Sequence, residues 1–184
     1  MNLEFNDLSK LISSQYNEER FLALVILDLQ IQKKIRNIEE IYRFYLDHII
    51  HINNWNLVDC SAHIIVGAYH HHLQNIEYMK TLARSSSMWE RRIAMISTLY
   101  FIRKHELSPT FEIADILLHD THDLIHKAVG WMLREAGKKD RSQLVKYLDK
   151  HAHEMPRTML RYSLEKFEES RRKYYLKLKD KTKA

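Results

Sequence analysis

The chain has 184 residues, 45% of them apolar and 29% charged, with a formal net charge of +5. That length and composition allow one domain with a sizeable core and exclude a disordered chain. Three glycines and two prolines are too few for the corners of a β-sandwich or an α/β fold, which leaves an all-α protein.

Helical periodicity runs nearly end to end. Leu3, Phe5, Leu8, Leu11 and Ile12 mark a short first helix, and Phe21, Leu22, Val25, Ile26 and Leu29 a stronger second. Asn37 caps a third, with Glu39 and Glu40 in its positive first turn and Ile38, Ile41, Tyr42, Tyr45, Leu46 and Ile49 facing inward. Asn54 caps a helix from Trp55 to about Val66, and another spans roughly Leu73 to Ala83. Ser87 is placed to cap a helix from Met88 to Arg103. Ser108-Pro109 starts the next, which ends near Leu118. A helix from about Thr121 to Glu135 is expected to stop at Gly137 as a left-handed cap. Asp140 and Pro156 open two more, and an amphipathic segment covers Glu168 to Lys177. The pattern predicts antiparallel pairs stacked as a HEAT-like α-α superhelix, with one domain over residues 1–177 and a frayed basic tail over 178–184.

Three groups recur at about one helical repeat. Trp55 and Asp59 are four apart and share a helix face; Arg92 follows Trp55 by 37 residues, and Trp131 follows Arg92 by 39. Two indoles, a carboxylate and a guanidinium on successive inner helices suit a cationic or polyanionic ligand. Asp59 lies well inside its helix, where an inward carboxylate is costly without a partner or a task. Arg91 and Arg92 point about 100° apart, so one faces the groove and the other outward. Gly130 allows either a close approach to the backbone or tight helix packing.

Other features decide less. The excess positive charge sits largely in Arg171, Arg172, Lys173, Lys177, Lys179, Lys181 and Lys183, which read equally as a solvated face or an anion-binding tail. Cys60 cannot form an internal disulfide, has apolar neighbours and reads as a small core residue in a reducing, cytoplasmic setting. No apolar run approaches the ~18 residues of a membrane span, and no signal peptide is visible. His70-His71-His72, and His119, His122 and His126 beside Asp120 and Asp123, lack a His-Glu-x-x-His pattern, so neither metal nor cofactor is expected. Asp120 and Asp123 read as a helix-start cap as readily as a catalytic pair.

With Asn53-Asn54-Trp55-Asn56-Leu57-Val58-Asp59, Trp89-Glu90-Arg91-Arg92 and Lys127-Ala128-Val129-Gly130-Trp131-Met132-Leu133-Arg134-Glu135 in order, the chain resembles the AlkD-like DNA alkylation repair family. Met155-Pro156-Arg157-Thr158-Met159-Leu160-Arg161-Tyr162 is similar to that family's last repeat, and the likeness covers roughly residues 15–176. It implies a HEAT-like-repeat DNA glycosylase, monomeric and nucleoid-associated, that excises N3- or N7-alkylated purines from double-stranded DNA. It implies that Trp55 and Trp131 hold the lesion nucleotide, that Asp59 is the catalytic carboxylate and that Arg92 contacts the DNA backbone. Arg91, Lys127, Arg134, Arg157 and Arg161 are then further phosphate contacts. Family members carry about one more helical pair before the segment matching 14–34. The resemblance therefore implies a partner or a missing repeat at the N-terminal face, with Leu8, Leu11, Ile12 and part of the Phe21–Leu29 face less buried than later repeats. The alternative is a non-catalytic HEAT-like module that binds DNA or another protein.

Overall fold

Each apolar repeat of the sequence becomes a helix, and Asn37, Asn54, His122 and Asp140 supply side-chain caps. The computed structural model describes residues 3–181, with side chains to residue 178. Helices α1 (Phe5–Ile12) and α2 (Asn17–Gln32) form the first antiparallel pair. α3 (Ile38–Asp47) starts at Asn37, whose Oδ1 accepts from the Glu40 N–H at 2.8 Å. α4 (Trp55–Ala62) starts at Asn54, which accepts from the Trp55 N–H at 2.8 Å.

Contrary to expectation, the α4 rod does not end at Val66. A π turn over His63–Gly67 joins it to α5 (Ala68–Leu73), so helical backbone runs unbroken from Trp55 to Leu73. α6 (Glu77–Ala83) then begins four residues later than the sequence suggests. α7 (Met88–Arg103) follows; Ser87 makes no side-chain cap, and its own N–H is held by Ser85 Oγ at 3.0 Å. α8 (Ser108–Ile116) has Pro109 in its first turn, where no hydrogen bond is lost.

α9 (Asp123–Lys139) gives way directly to α10 (Arg141–His151), where Asp140 accepts from the N–H groups of Ser142 and Gln143 at 2.8 and 3.2 Å. α11 (Arg157–Ser163) and α12 (Glu169–Lys181) complete the chain. The tail expected over 178–184 is thus partly helical, and residues 182–184 lie outside the described residues. No strand occurs among the described residues, and the fold is an all-α helical-repeat superhelix.

Gly137 is not a left-handed cap. It lies inside α9, and a Cβ there would stand 2.2 Å from Leu144 Cδ2, so glycine is what lets α10 fold back so closely. The left-handed residues are instead Lys34, Gln74 and His105, at φ 53°, 50° and 64°, after α2, α5 and α7. Each is followed by a six-to-one bond: Ile35 N–H to Gln30 O, Asn75 N–H to His70 O and Glu106 N–H to Phe101 O, at 2.9–3.2 Å. A side chain in that conformation costs about 1 kcal/mol. The chain tolerates that cost in place of glycine.

α2, α4, α7, α9 and α11 form an inner row, each packed on the next, and α6, α8 and α10 back it. The core lies between the rows, around Val58, Ile65, Ile93, Ile96, Val129, Met132 and Met159, all fully buried. Two glycines set the closeness of the inner row. A Cβ on Gly67 would lie 2.3 Å from Ser97 O and 2.9 Å from Tyr100 Cβ; one on Gly130 would lie 2.5 Å from both Met159 O and Tyr162 Cβ. Of the two readings of Gly130, helix packing is the observed one.

The N-terminal expectation is met at Phe21 and Leu22, which are exposed, while Leu11 is partly buried; for Leu8 and Ile12 it needs correcting. Leu8 and Ile12 are fully buried under α2, so they are no less covered than later positions. α2 itself turns inward Ala23, Leu24, Ile26, Leu27 and Gln30, which leaves Phe21 37% and Leu22 48% exposed. Residues 21–27 are all apolar, and such a run specifies no unique face.

Candidate functional site

Helical spacing brings the singled-out residues to the open side of the inner row. On the α4 rod, Trp55, Asp59 and His63 share one face at intervals of four. On α9, Leu124, Lys127, Trp131 and Arg134 do the same at intervals of three and four. The two faces meet in an open cleft of about 280 Å³, walled by Trp55, Trp131, Leu124, Arg92, Lys127 and Arg134, with Tyr162 of α11 closing one side. Trp55 is 55% exposed, an unusual position for an indole that has no packing role. Trp131 is half-buried against the core.

Asp59 meets this cleft through Arg92. Arg92 Nε donates to Asp59 Oδ1 at 2.9 Å and Nη2 to Oδ2 at 2.8 Å, a bidentate pair, while Nη1 donates to Leu124 O at 2.6 Å. The arginine side chain is 6% exposed and the aspartate 18%. Three of the five guanidinium N–H groups are therefore used inside the protein. Arg92 links α4 to α7 and α9 and fixes the rotamer of Asp59. A backbone phosphate can reach only the donors that remain.

The other expected phosphate contacts are mostly paired as well. Arg91 is bound to Asp120 at 2.6 Å and to the carbonyls of Ser85 and Ser86 at 3.0 and 2.9 Å, which ties the 85–87 turn to α7. It is a brace and not a free cation. Lys127 lies 2.7 Å from Asp123 Oδ2, on the exposed side of α9. Arg134 bridges Glu135 and Glu165. Arg157 donates to Leu176 O at 2.8 Å. Arg161 is exposed and lines a neighbouring space of about 430 Å³ with Lys127, Tyr162 and Arg172.

Local chemistry around the α4 face is quiet. Burial pushes the Cys60 thiol up to about 11, which keeps it an unreactive thiol. His63 is buried, its Nδ1 has no hydrogen-bond partner, and burial followed by the charge of Arg103 lowers its pKa to about 4. It is neutral at neutral pH. The histidines weighed as metal ligands mostly go to separate partners: His70 to Tyr42 and the Asn75 carbonyl, His71 to Glu106, His126 to the Asp120 carbonyl, His119 toward Glu154, and His122 to the Leu124 N–H as a cap. Among the described residues no three His, Cys, Asp or Glu side chains converge as a metal site, and no helix is long and apolar enough to cross a membrane.

Two wall residues were not singled out from the sequence. Leu124 offers both a side chain to the cleft and a carbonyl to Arg92. Tyr162 lies 31 residues beyond Trp131, short of the 37 and 39 that link the other groups, so the repeat spacing does not point to it.

No curated protein matches the chain. A family model described as DNA alkylation repair enzyme matches residues 2–167, which takes in every residue of the cleft wall. With an all-α repeat fold and a cleft of two indoles over a carboxylate–guanidinium pair, the chain belongs to the DNA alkylation repair enzyme family.

Proposed function

We propose that the protein is a DNA glycosylase that hydrolyses the N-glycosidic bond of purines carrying an alkyl group at N3 or N7. The observation that supports this most is the Asp59–Arg92 pair at the edge of an open cleft between Trp55 and Trp131. Simple phosphate binding gains nothing from a carboxylate there.

An alkylated purine already carries positive charge, so no acid is needed to make it leave. The C1′–N9 bond breaks with its electron pair going to the base, which neutralises the base and leaves positive charge on the deoxyribose. Water adds its oxygen to C1′ and releases a proton to solvent. Asp59, fixed by Arg92, stabilises the sugar cation and orients that water. The faces of Trp55 and Trp131 attract the cationic nucleotide through their ring quadrupoles. The cleft is open rather than enclosed, which suits a nucleotide held against a surface.

The deciding experiment incubates the purified chain with a duplex containing N7-methylguanine and measures free base. Release by the unaltered chain, lowered about a hundredfold or more in Asp59→Asn with DNA binding retained, supports the proposal. Binding without release by the unaltered chain would leave a non-catalytic DNA-binding module. Equal release by Asp59→Asn would remove the carboxylate from the mechanism.

A further inference from the structure

The expected phosphate contacts Arg91, Arg92, Lys127 and Arg134 are each engaged by a carboxylate. DNA phosphates would have to compete with those partners. Lys138, itself paired with Glu135, continues the α9 stripe of Lys127, Trp131 and Arg134, and beyond Trp131 the groove opens into a second space of about 290 Å³, where cations without a carboxylate partner are found. Leu99 and Ile102 of α7 form its floor, and Arg103 and Lys139 stand at its rim. Both are exposed, and neither forms an ion pair with a carboxylate among the described residues. The nearby Glu135 is occupied by Arg134 and Lys138, so it does not cancel their charge. His63, buried on the α4 face, feels the Arg103 charge and titrates low partly for that reason.

We infer that Arg103 and Lys139 form a phosphate subsite for duplex DNA on the far side of Trp131 from Lys127 and Arg161, and that this subsite carries more of the sequence-independent binding than Arg92 does. The inference rests on the reading of the groove as a DNA site, but not on catalysis. Three features argue for it. The two cations come from different helices, α7 and α9, so the fold brings them together across 36 residues of sequence. Trp131 walls both spaces, so a strand whose nucleotide lies against Trp131 passes directly into this one. Lys139 also borders a third space with Arg141 and Lys166, which continues the positive surface beyond the cleft. Unpaired cations bind phosphate without first breaking an ion pair, and each phosphate neutralised releases counterions.

A competing explanation is that Arg103 and Lys139 only complement the negative ends of α7 and α9, where they are the last residues. That role contributes to helix stability and not to DNA binding. The test is a salt titration of undamaged duplex binding by the unaltered chain, by Arg103→Gln/Lys139→Gln, and by Lys146→Gln/Lys150→Gln. The last pair is exposed on the outer helix α10 and makes the same charge change. The expected result is a slope of log K against log salt about 1.8 units shallower for the groove pair, and little changed for the outer pair. Equal slopes in all three proteins, or an equal loss in both variants, would overturn the subsite. So would a groove pair that lowers the melting temperature while its slope stays that of the unaltered chain. Base release by the unaltered chain is read separately: a slope change without any release would preserve this subsite and refute the glycosylase.

Discussion

Arg92 holds Asp59 by two parallel hydrogen bonds, Nε to Oδ1 and Nη2 to Oδ2, and joins the α4 face to the first turn of α9 through the Leu124 carbonyl. The consequence is that the arginine acts first on the protein and only secondarily on a ligand. Arg92→Ala should lower stability by about 3 kcal/mol in urea denaturation, because it strands a largely buried carboxylate and takes the donor from the Leu124 carbonyl. Arg92→Lys keeps the charge but loses the fork, and should slow base release more than it weakens binding. If Arg92→Ala unfolds at the same urea concentration as the unaltered chain, the pair is not structural.

His63 makes stability depend on pH. Its folded pKa of about 4 lies below the ordinary 6.5, so between those values the unfolded chain binds the extra proton. The contribution is complete above pH 6.5 and is lost as pH falls toward 4, by about 3 kcal/mol at most. His63→Gln should flatten that part of the stability profile. An unchanged profile in melts at pH 4.5 and 7 would exclude His63 as the group responsible.

Gly130→Ala should separate α9 from α11. The new methyl would meet the Met159 carbonyl and Tyr162 Cβ at 2.5 Å, and backbone has to move. A loss of about 2 kcal/mol is expected. Base release should fall as well, since the shift carries Tyr162 off the cleft wall. A melting temperature within a degree of the unaltered chain would show that the crossing has slack.

Glu165 holds Arg134 and also lies 3.4 Å from Lys166. Glu165→Gln should therefore tighten binding to any duplex several-fold, with a salt slope steeper by about 0.9. Weaker binding would mean that Glu165 aims Arg134 at the phosphate and does not compete with it.

The sequence made the helices legible because most of them are amphipathic and several carry an explicit start: Asn37, Asn54, Pro109 and Asp140 all serve as read. It failed where local signals were degenerate. Residues 21–27 are apolar on every side, so only the position of α1 decides that Phe21 faces out and Leu24 in. Gly137 looks like a cap because glycine usually is one, yet Leu144 across the α9–α10 corner dictates it. The π turn at His63–Gly67 has no local signature and is stabilised by packing on α7. For the candidate site, the repeat spacing located Trp55, Asp59, Arg92 and Trp131 on one surface. It did not give the partner of each cation. Those partners, Asp120 for Arg91 and Glu165 for Arg134, lie about 30 residues away in the connections before α9 and after α11.

Trp55 stands more than half in solvent while Trp89 and Trp131 are partly covered, and these are the chain's three indoles. The protein thereby carries its own optical reporter. Emission from a solvated indole is red-shifted, and stacking against a nucleobase quenches it, so occupation of the cleft should dim the long-wavelength side of the spectrum first. Trp55→Phe would silence that component while leaving the other two, and the groove could then be titrated without any label.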